Sequence, residues 1–495
     1  MSRNHPVRAA RSPIPATFRK CSIFASLRRF ETGAGFFRRS ILLAAFSRSA
    51  TVAVAVAVAI AVCCGYPSVT LAEETVVQLD TTINPEQTFE TEYQVQIEGQ
   101  VIIPGVEGDQ QLTLTSLGEF KFQQRQFAND HAGPHALRAI REFSKASTIT
   151  KVGPDHITNV SLTPEYRTIH VFGTDNRLLL VSPDYLIPRK QLDLLQLPFD
   201  PLVLGSSLPG SAVKVGDKWN TDSWLLPVLT GVEVVIEQST TCTLVSVTDD
   251  MAVITMVGKI SGAAVGSASN VSFSGELRLD TKKGYIKSFV GQQKEKRIPG
   301  PVSPGLNVTA NIRWTQALSN SVSSIEKTPD PKVPDNNRLM LVLQTPLKLQ
   351  LHHSREWHLF HETPSVLMMR QLRDGHLISQ CNLSSAVLVP PNGHTPDKEF
   401  LADVTESVSE RKGNVISEST VRDDERWRIR RIQAVGDASG DVILWDYFLC
   451  SAKSGEQFSI VFSHSKSDEE LFGDEANRML SSLQIARPRG ALPLR

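Results

Sequence analysis

Residues 89–103 read FETEYQVQIEGQVII, and their alternation decides the fold class. Phe89, Thr91, Tyr93, Val95, Ile97, Val101 and Ile103 fall on one side of an extended chain, and Glu90, Glu92, Gln94, Gln96, Glu98 and Gln100 on the other. Successive side chains of a strand point to opposite faces, so a period of two over this length makes a strand with one dry and one wet face. Gly99 interrupts the pattern and predicts a bulge or bend. Turn residues follow over 104–109, and Leu112, Leu114, Phe120 and Phe122 continue the dry face on a return strand.

Downstream, the spacing of Ala136, Ala139, Ile140 and Phe143 predicts a helix over 135–147. Short strands are expected over 157–162 and 167–172, then a segment punctuated by Pro183, Pro188 and Pro198, then a loop-rich bridge over 202–219. A second run of strands begins at 232–247 and 251–260, on either side of the turn at 248–250. Val271, Phe273, Leu277 and Leu279 then alternate with Ser272, Ser274, Glu276 and Arg278, and a turn over 280–284 leads into 285–290. Strands joined by short turns, each with one polar face, predict a mainly β first domain over 73–326: a curved antiparallel sheet, half-barrel or sandwich.

Residues 327–337, KTPDPKVPDNN, have the composition of a stiff linker. Beyond it, 338–486 read as a small α+β second domain, with 487–495 as a tail. Strands are expected at 340–344, 366–372 and 377–383. A helix follows with Thr395 as N-cap, Pro396 at its first position and Gly413 past its end. Four more strands fall at 418–421, 427–435, 441–450 and 457–464. A capping box at 467–470 opens a last helix, whose first turn Gly473 weakens.

Residues 372–383 (LRDGHLISQCNL), the helix from Asp397, residues 445–449 (WDYFL) and the strand at 457–463 give this second domain an order that resembles the PsbP-like (DcrB-type) α+β family. The resemblance implies an antiparallel sheet and a protein-docking or assembly role without catalysis. Residues 138–146 (RAIREFSKA), 213–219 (VKVGDKW) and 275–280 make the first domain similar to strand-rich exported bacterial proteins of uncharacterised function, and bring no catalytic residue with them.

The N-terminus has a different character. Residues 1–49 carry nine Arg and one Lys against the single acid Glu31, and residues 50–64, ATVAVAVAVAIAVCC, carry no charge. As a helix that apolar run spans about 22 Å at 1.5 Å per residue, short of a hydrocarbon core of roughly 30 Å. It suits the core of a signal peptide, with Thr70 and Ala72 as the small residues of a cleavage site after Ala72. The chain is therefore expected in the periplasm or cell envelope. An uncleaved anchor over 41–64 is the alternative and the one route to a membrane, although Arg48 interrupts it. Arg38-Arg39 also resembles a twin-arginine export motif, and an Arg-rich head is compatible with an organelle lumen. Val62 before Cys63 does not fit a lipid-attachment site.

The whole chain has 52 basic and 52 acidic residues. Without residues 1–72 the body holds 42 basic against 51 acidic, a net charge of −9. An acidic body argues against nucleic acid as a partner. Three Cys remain in it, Cys242, Cys381 and Cys450, enough for at most one bridge; Cys381–Cys450 is the candidate pair, and two core-facing free thiols are the alternative.

His352, His353, His358 and His361, in LHHSREWHLFHET, are metal-ligand material. On a strand, however, His358 and His361 point to opposite faces, and no Cys or carboxylate set completes them. His131 and His135 have helical ligand spacing with Gly133-Pro134 between them, and 463–466 match S-x-x-K without its companion motifs. No catalytic residue and no cofactor is assigned. Three functions stand open: an exported, non-enzymatic protein that binds or scaffolds other proteins; a carrier holding a lipid or other apolar ligand on the dry face of the first sheet; and a metal-dependent enzyme built on the His cluster.

Overall fold

A computed structural model describes residues 76–105, 108–128, 133–320, 324–438 and 440–485. The basic head, the apolar run, the cleavage site at Ala72, His131 and the tail over 487–495 lie outside the described residues. The described chain forms two compact units, one of residues 381–467 and the other of the remainder.

In the larger unit the strands are β1 (Val76–Gln78), β2 (Thr88–Ile103), β3 (Gln110–Gln126), β4 (Arg138–Val152), β5 (His156–Ser161), β6 (Thr168–Thr174) and β7 (Arg177–Val181). Helices α1 (Arg189–Leu195) and α2 (Pro201–Leu204) follow, then β8 (Ala212–Lys214), β9 (Lys218–Trp219) and α3 (Leu225–Thr230). The meander is β10 (Val234–Thr248), β11 (Met251–Ala264), β12 (Ser267–Asp280), β13 (Tyr285–Arg297) and β14 (Gly305–Leu318). One open antiparallel sheet takes the order β7-β6-β4-β3-β2-β14-β13-β12-β11-β10-β9, with β5 on β4.

The two strand runs of the sequence are thus one sheet, joined where β14 pairs β2 from Phe89↔Leu318 to Ile102↔Gly305. The mainly β, curved antiparallel expectation is what forms, as a sheet that does not close. The dry face of β2 is the predicted one, with Phe89, Tyr93 and Val95 buried. At Gly99 the register with both neighbours is unbroken, so the expected bulge is absent. Gly99 instead takes φ +152°, and a Cβ there would stand 2.2 Å from the Asn307 carbonyl oxygen.

The helix predicted over 135–147 is a strand. Residues 133–136 make one 3-10 turn, and β4 then pairs β3 on one side and β5 and β6 on the other. The physical reason is burial on both faces. Ala139, Phe143 and Ala146 join the main core while Ile140 packs with Phe127 and Ile325 on the opposite side. A strand covered on both faces loses its period-two signature, and its apolar residues fall by chance at helical spacing.

The chain between β7 and β10, with the Pro-punctuated segment, the bridge and α3, fills the concave face of the sheet. Leu192, Leu195, Leu202, Val203, Leu225 and Leu229 from α1, α2 and α3 share one core with Tyr93, Phe120, Phe273, Phe289 and Trp314 of the strands. Phe199, at φ +52°, stacks on Phe289 with centroids 5.0 Å apart. Its carbonyl accepts from Trp314 Nε1 at 3.0 Å, and the Pro198 carbonyl accepts from the Tyr93 hydroxyl at 2.6 Å. Asp200 caps α2 at the Leu202 amide and pairs with the fully buried Arg141.

Residues 327–337 lie within the larger unit. Arg125 donates to the carbonyls of Ile325, Glu326 and Thr328, and Arg138 pairs with Asp330 at 2.9 Å. The unit continues through β15 (Leu341–Gln344), β16 (Leu349–His353), β17 (Trp357–Glu362) and β18 (Val366–Arg373), and β19 (His376–Ser385) crosses the division at 381.

The smaller unit holds α4 (Asp397–Ser409), β20 (Asn414–Asp423), β21 (Trp427–Ala438), β22 (Asp441–Ala452) and β23 (Gln457–Ser465). Its strands pair in sequence order, antiparallel. Phe400, Val404 and Val408, four apart on α4, pack against Ile432, Trp445, Tyr447 and Leu449. Thr395 does not cap α4; Pro396 holds that position without a side-chain bond. The Thr395 hydroxyl instead accepts from Gln457 Nε2 at 2.9 Å, within a buried network in which Gln457 Oε1 accepts from the Thr395 amide and Ser451.

Cys381 and Cys450 are buried free thiols rather than a bridge. Strand β23 lies between β19 and β22, which sets the two about two strand spacings apart, ~9.5 Å and beyond the ~7 Å Cα limit for a disulfide. Burial pushes both thiols well above their ordinary pKa.

The chain returns to the larger unit with α5 (Glu469–Phe472), α6 (Glu475–Ser481) and β24 (Gln484–Ile485). The single helix expected after the capping box is broken by Gly473 at φ +54° into α5 and α6. Strand β24 pairs β16, and Glu475 accepts from Trp357 Nε1 at 2.8 Å.

Candidate functional site

A cavity of about 1210 Å³ lies wholly within the larger unit. Ligand pockets are commonly about 300–1,000 Å³, so this one has room for a long or bulky molecule. The sheet supplies its floor through Ile97 of β2 and Leu306, Val308 and Ala310 of β14. These adjacent positions share the dry face, since Ile97 pairs Ala310 and Gly99 pairs Val308. Leu195 and Leu197 of the Pro-punctuated segment and Val228 and Leu229 of α3 add apolar surface, as do Leu359 and Met369 of the β17–β18 hairpin. Two polar groups interrupt the floor: Glu295, and Gln293, whose Oε1 is buried with no partner among the described residues.

The opposite character gathers where α1 meets β16 and β17. Arg189 Nη1 donates to the Arg355 carbonyl at 2.9 Å, Nη2 donates to His358 Nδ1 at 2.8 Å, and Nε pairs with Asp193 at 3.0 Å. A guanidinium only donates, so His358 Nδ1 is the acceptor and its proton sits on Nε2. Burial and then the Arg189 charge push His358 down to about 3. Burial pushes His353 down to about 4; its Nδ1 bonds the Ser354 carbonyl at 2.8 Å and its Nε2 has no partner among the described residues. Arg355 donates to the carbonyls of Leu339 and Leu180. Burial against Glu356 is outweighed by hydrogen bonds from Arg373 and Gln371, which hold its carboxyl below the usual range.

The four sequence candidates therefore separate. His352 and His353 are consecutive on β16, so one is part-exposed and the other buried. His358 and His361 lie on β17 across a register shift, and the His358 Nδ1 lone pair is taken by Arg189. Among the described residues no group of three His, Cys, Asp or Glu is arranged to hold a metal ion. His353 and His358 do line the cavity, beside Arg189, Arg355 and Arg177. Those arginines carry no sequence signature; Arg355 merely sits inside the His-rich stretch, Arg189 inside the Pro-punctuated segment, and Arg177 in an unremarked one.

No protein-family model matches the chain, and no curated protein does. Among solved structures it is similar to lipovitellin, in a study of its lipid–protein interactions, at 12% identity and TM-score 0.27, over 52% of this chain and 29% of that one. The chain thus spans less than a third of lipovitellin's length. It is similar to OmpT, an outer membrane protein of Vibrio cholerae, at 8% identity and TM-score 0.12, over 76% and 99%. DynF from the dynemicin biosynthesis pathway of Micromonospora chersina matches at 8% identity and TM-score 0.12, over 50% and 92%. Likeness this low carries no argument. Among the described residues, no helix is long and apolar enough to cross a membrane.

Proposed function

We propose that the larger unit is a carrier that holds an apolar ligand, such as a lipid, against the concave face of its sheet. The observation that carries this reading is the cavity itself: about 1210 Å³ bounded by Ile97, Leu306, Val308 and Ala310 below and by Leu195, Leu197 and Leu229 beside them. A preformed apolar concavity with a few convergent polar groups is the form that small-molecule sites take. Export to the cell envelope through the N-terminal segment is part of the proposal, supported by the uncharged run over 50–64 between a basic head and the small residues Thr70 and Ala72. A protein-docking role for residues 338–486 is a further part of the proposal, supported by the element order in their sequence that resembles the PsbP-like family.

The carrier is tested by native mass spectrometry of the purified chain, followed by organic extraction. A stoichiometric adduct that extraction removes and identifies as a lipid supports it. An unliganded mass that stays unchanged after incubation with lipid vesicles contradicts it.

A further inference from the structure

We propose that the pole of this cavity formed by Arg355, Arg189, Arg177 and His353 holds the anionic head group, carboxylate or phosphate, of an amphipathic ligand whose chain lies on the apolar floor. The proposal rests on the carrier reading and adds the ligand's chemical class.

Three observations support it. First, Arg355 is mostly buried and bonds only backbone carbonyls; among the described residues no carboxylate pairs with it. A guanidinium withdrawn from water without a counter-charge is costly, and an incoming anion removes that cost. Secondly, two more guanidiniums stand near. Burial and the charges of Arg177 and Arg189 hold Arg355 down to about 10, and the Arg177 side chain makes no hydrogen bond or ion pair among the described residues. Three of the acids that share this wall are already engaged: Asp193 by Arg189, Glu356 by Arg373, and Glu362 by Lys190. Thirdly, His353 lines the cavity at 1% exposure with an unpartnered Nε2. A carboxylic acid or hydrogen phosphate donates to that nitrogen, and a fully ionised group favours its protonation and accepts from it. Planar guanidinium forks match carboxylate and phosphate oxygens in either case.

The test measures binding of oleate, oleyl phosphate and methyl oleate to the full chain by calorimetry, with Arg355→Met and Arg177→Gln as variants. The wild-type chain is expected to bind at least one of the two anions about tenfold more tightly than the ester, and the tighter one identifies the head group. Each variant is expected to lose much of that preference. Equal affinity for all three probes in the wild type overturns the head-group assignment and leaves the carrier standing. A preference that survives in both variants overturns it too, and failure of every probe to bind removes the carrier reading itself. Should Arg355→Met not fold, Arg177→Gln carries the test, because its side chain is exposed and makes no hydrogen bond or ion pair among the described residues.

Discussion

Arg141 and Asp200 form a two-pronged ion pair sealed from water, at 0% and 3% side-chain exposure, with Gln124 bonded to the guanidinium and Phe122 beneath it. Removing one member strands the other, so Asp200→Ala should cost about 3–5 kcal/mol in urea unfolding. Replacing both with apolar residues of similar volume should cost far less, and a single-variant loss under about 1 kcal/mol, typical of a surface pair, contradicts this account. The buried imidazole of His353 makes a separate prediction. Its folded pKa, about 4, lies below the unfolded 6.5, so its contribution is fully present above pH 6.5 and is lost as pH falls toward 4. At pH 5 the unfolded state gains about 2 kcal/mol from this group alone. Stability measured against pH should fall across that window, less steeply in His353→Gln; parallel profiles for the two chains would sink the assignment. None of this was legible in the sequence. Arg141 and Asp200 are partners across 59 positions, and although strand spacing already counted against a metal site in the His-rich stretch, nothing in it announced that Arg189 holds His358.

At the scale of elements, β2 was legible because one face is wet, and its dry residues Phe89, Tyr93 and Val95 are the buried ones. Strand β4 was not, since burial on both sides removes the alternation that distinguishes strand from helix. The short helices α1 and α2 were hidden by Pro188, Pro198 and Pro201 and read as connection, and α3 fell in a stretch given no element, yet all three fill the concavity and shape the cavity. Where β2 meets β14, Gly99 allows an approach that no side chain permits. Gly99→Ala should lower stability by roughly 1–3 kcal/mol, through a strained φ and a clash with the Asn307 carbonyl. Thermal unfolding checks it, and a variant as stable as the parent would show that the two strands have slack there.

At the scale of the molecule, the mainly β character and the place of the dry face came from patterning, whereas the cavity arises from long-range pairing. Its floor joins Ile97 to Ala310, more than two hundred residues apart, and its charged pole joins Arg177 and Arg189 to Arg355. No local motif announces such a site. The compact units likewise divide at 381, inside β19, where local composition gives no sign of a boundary, and at 467, between β23 and α5. The carrier claim is tested most directly by photo-crosslinking a diazirine-bearing fatty acid to the full chain and mapping adducts by peptide mass spectrometry. Adducts on peptides containing Leu195, Leu306, Val308 or Ala310, competed away by unlabelled oleate, are the predicted result. Adducts confined to exposed apolar residues such as Ile149, Ile157 and Ile236, or labelling that oleate does not compete, would contradict it.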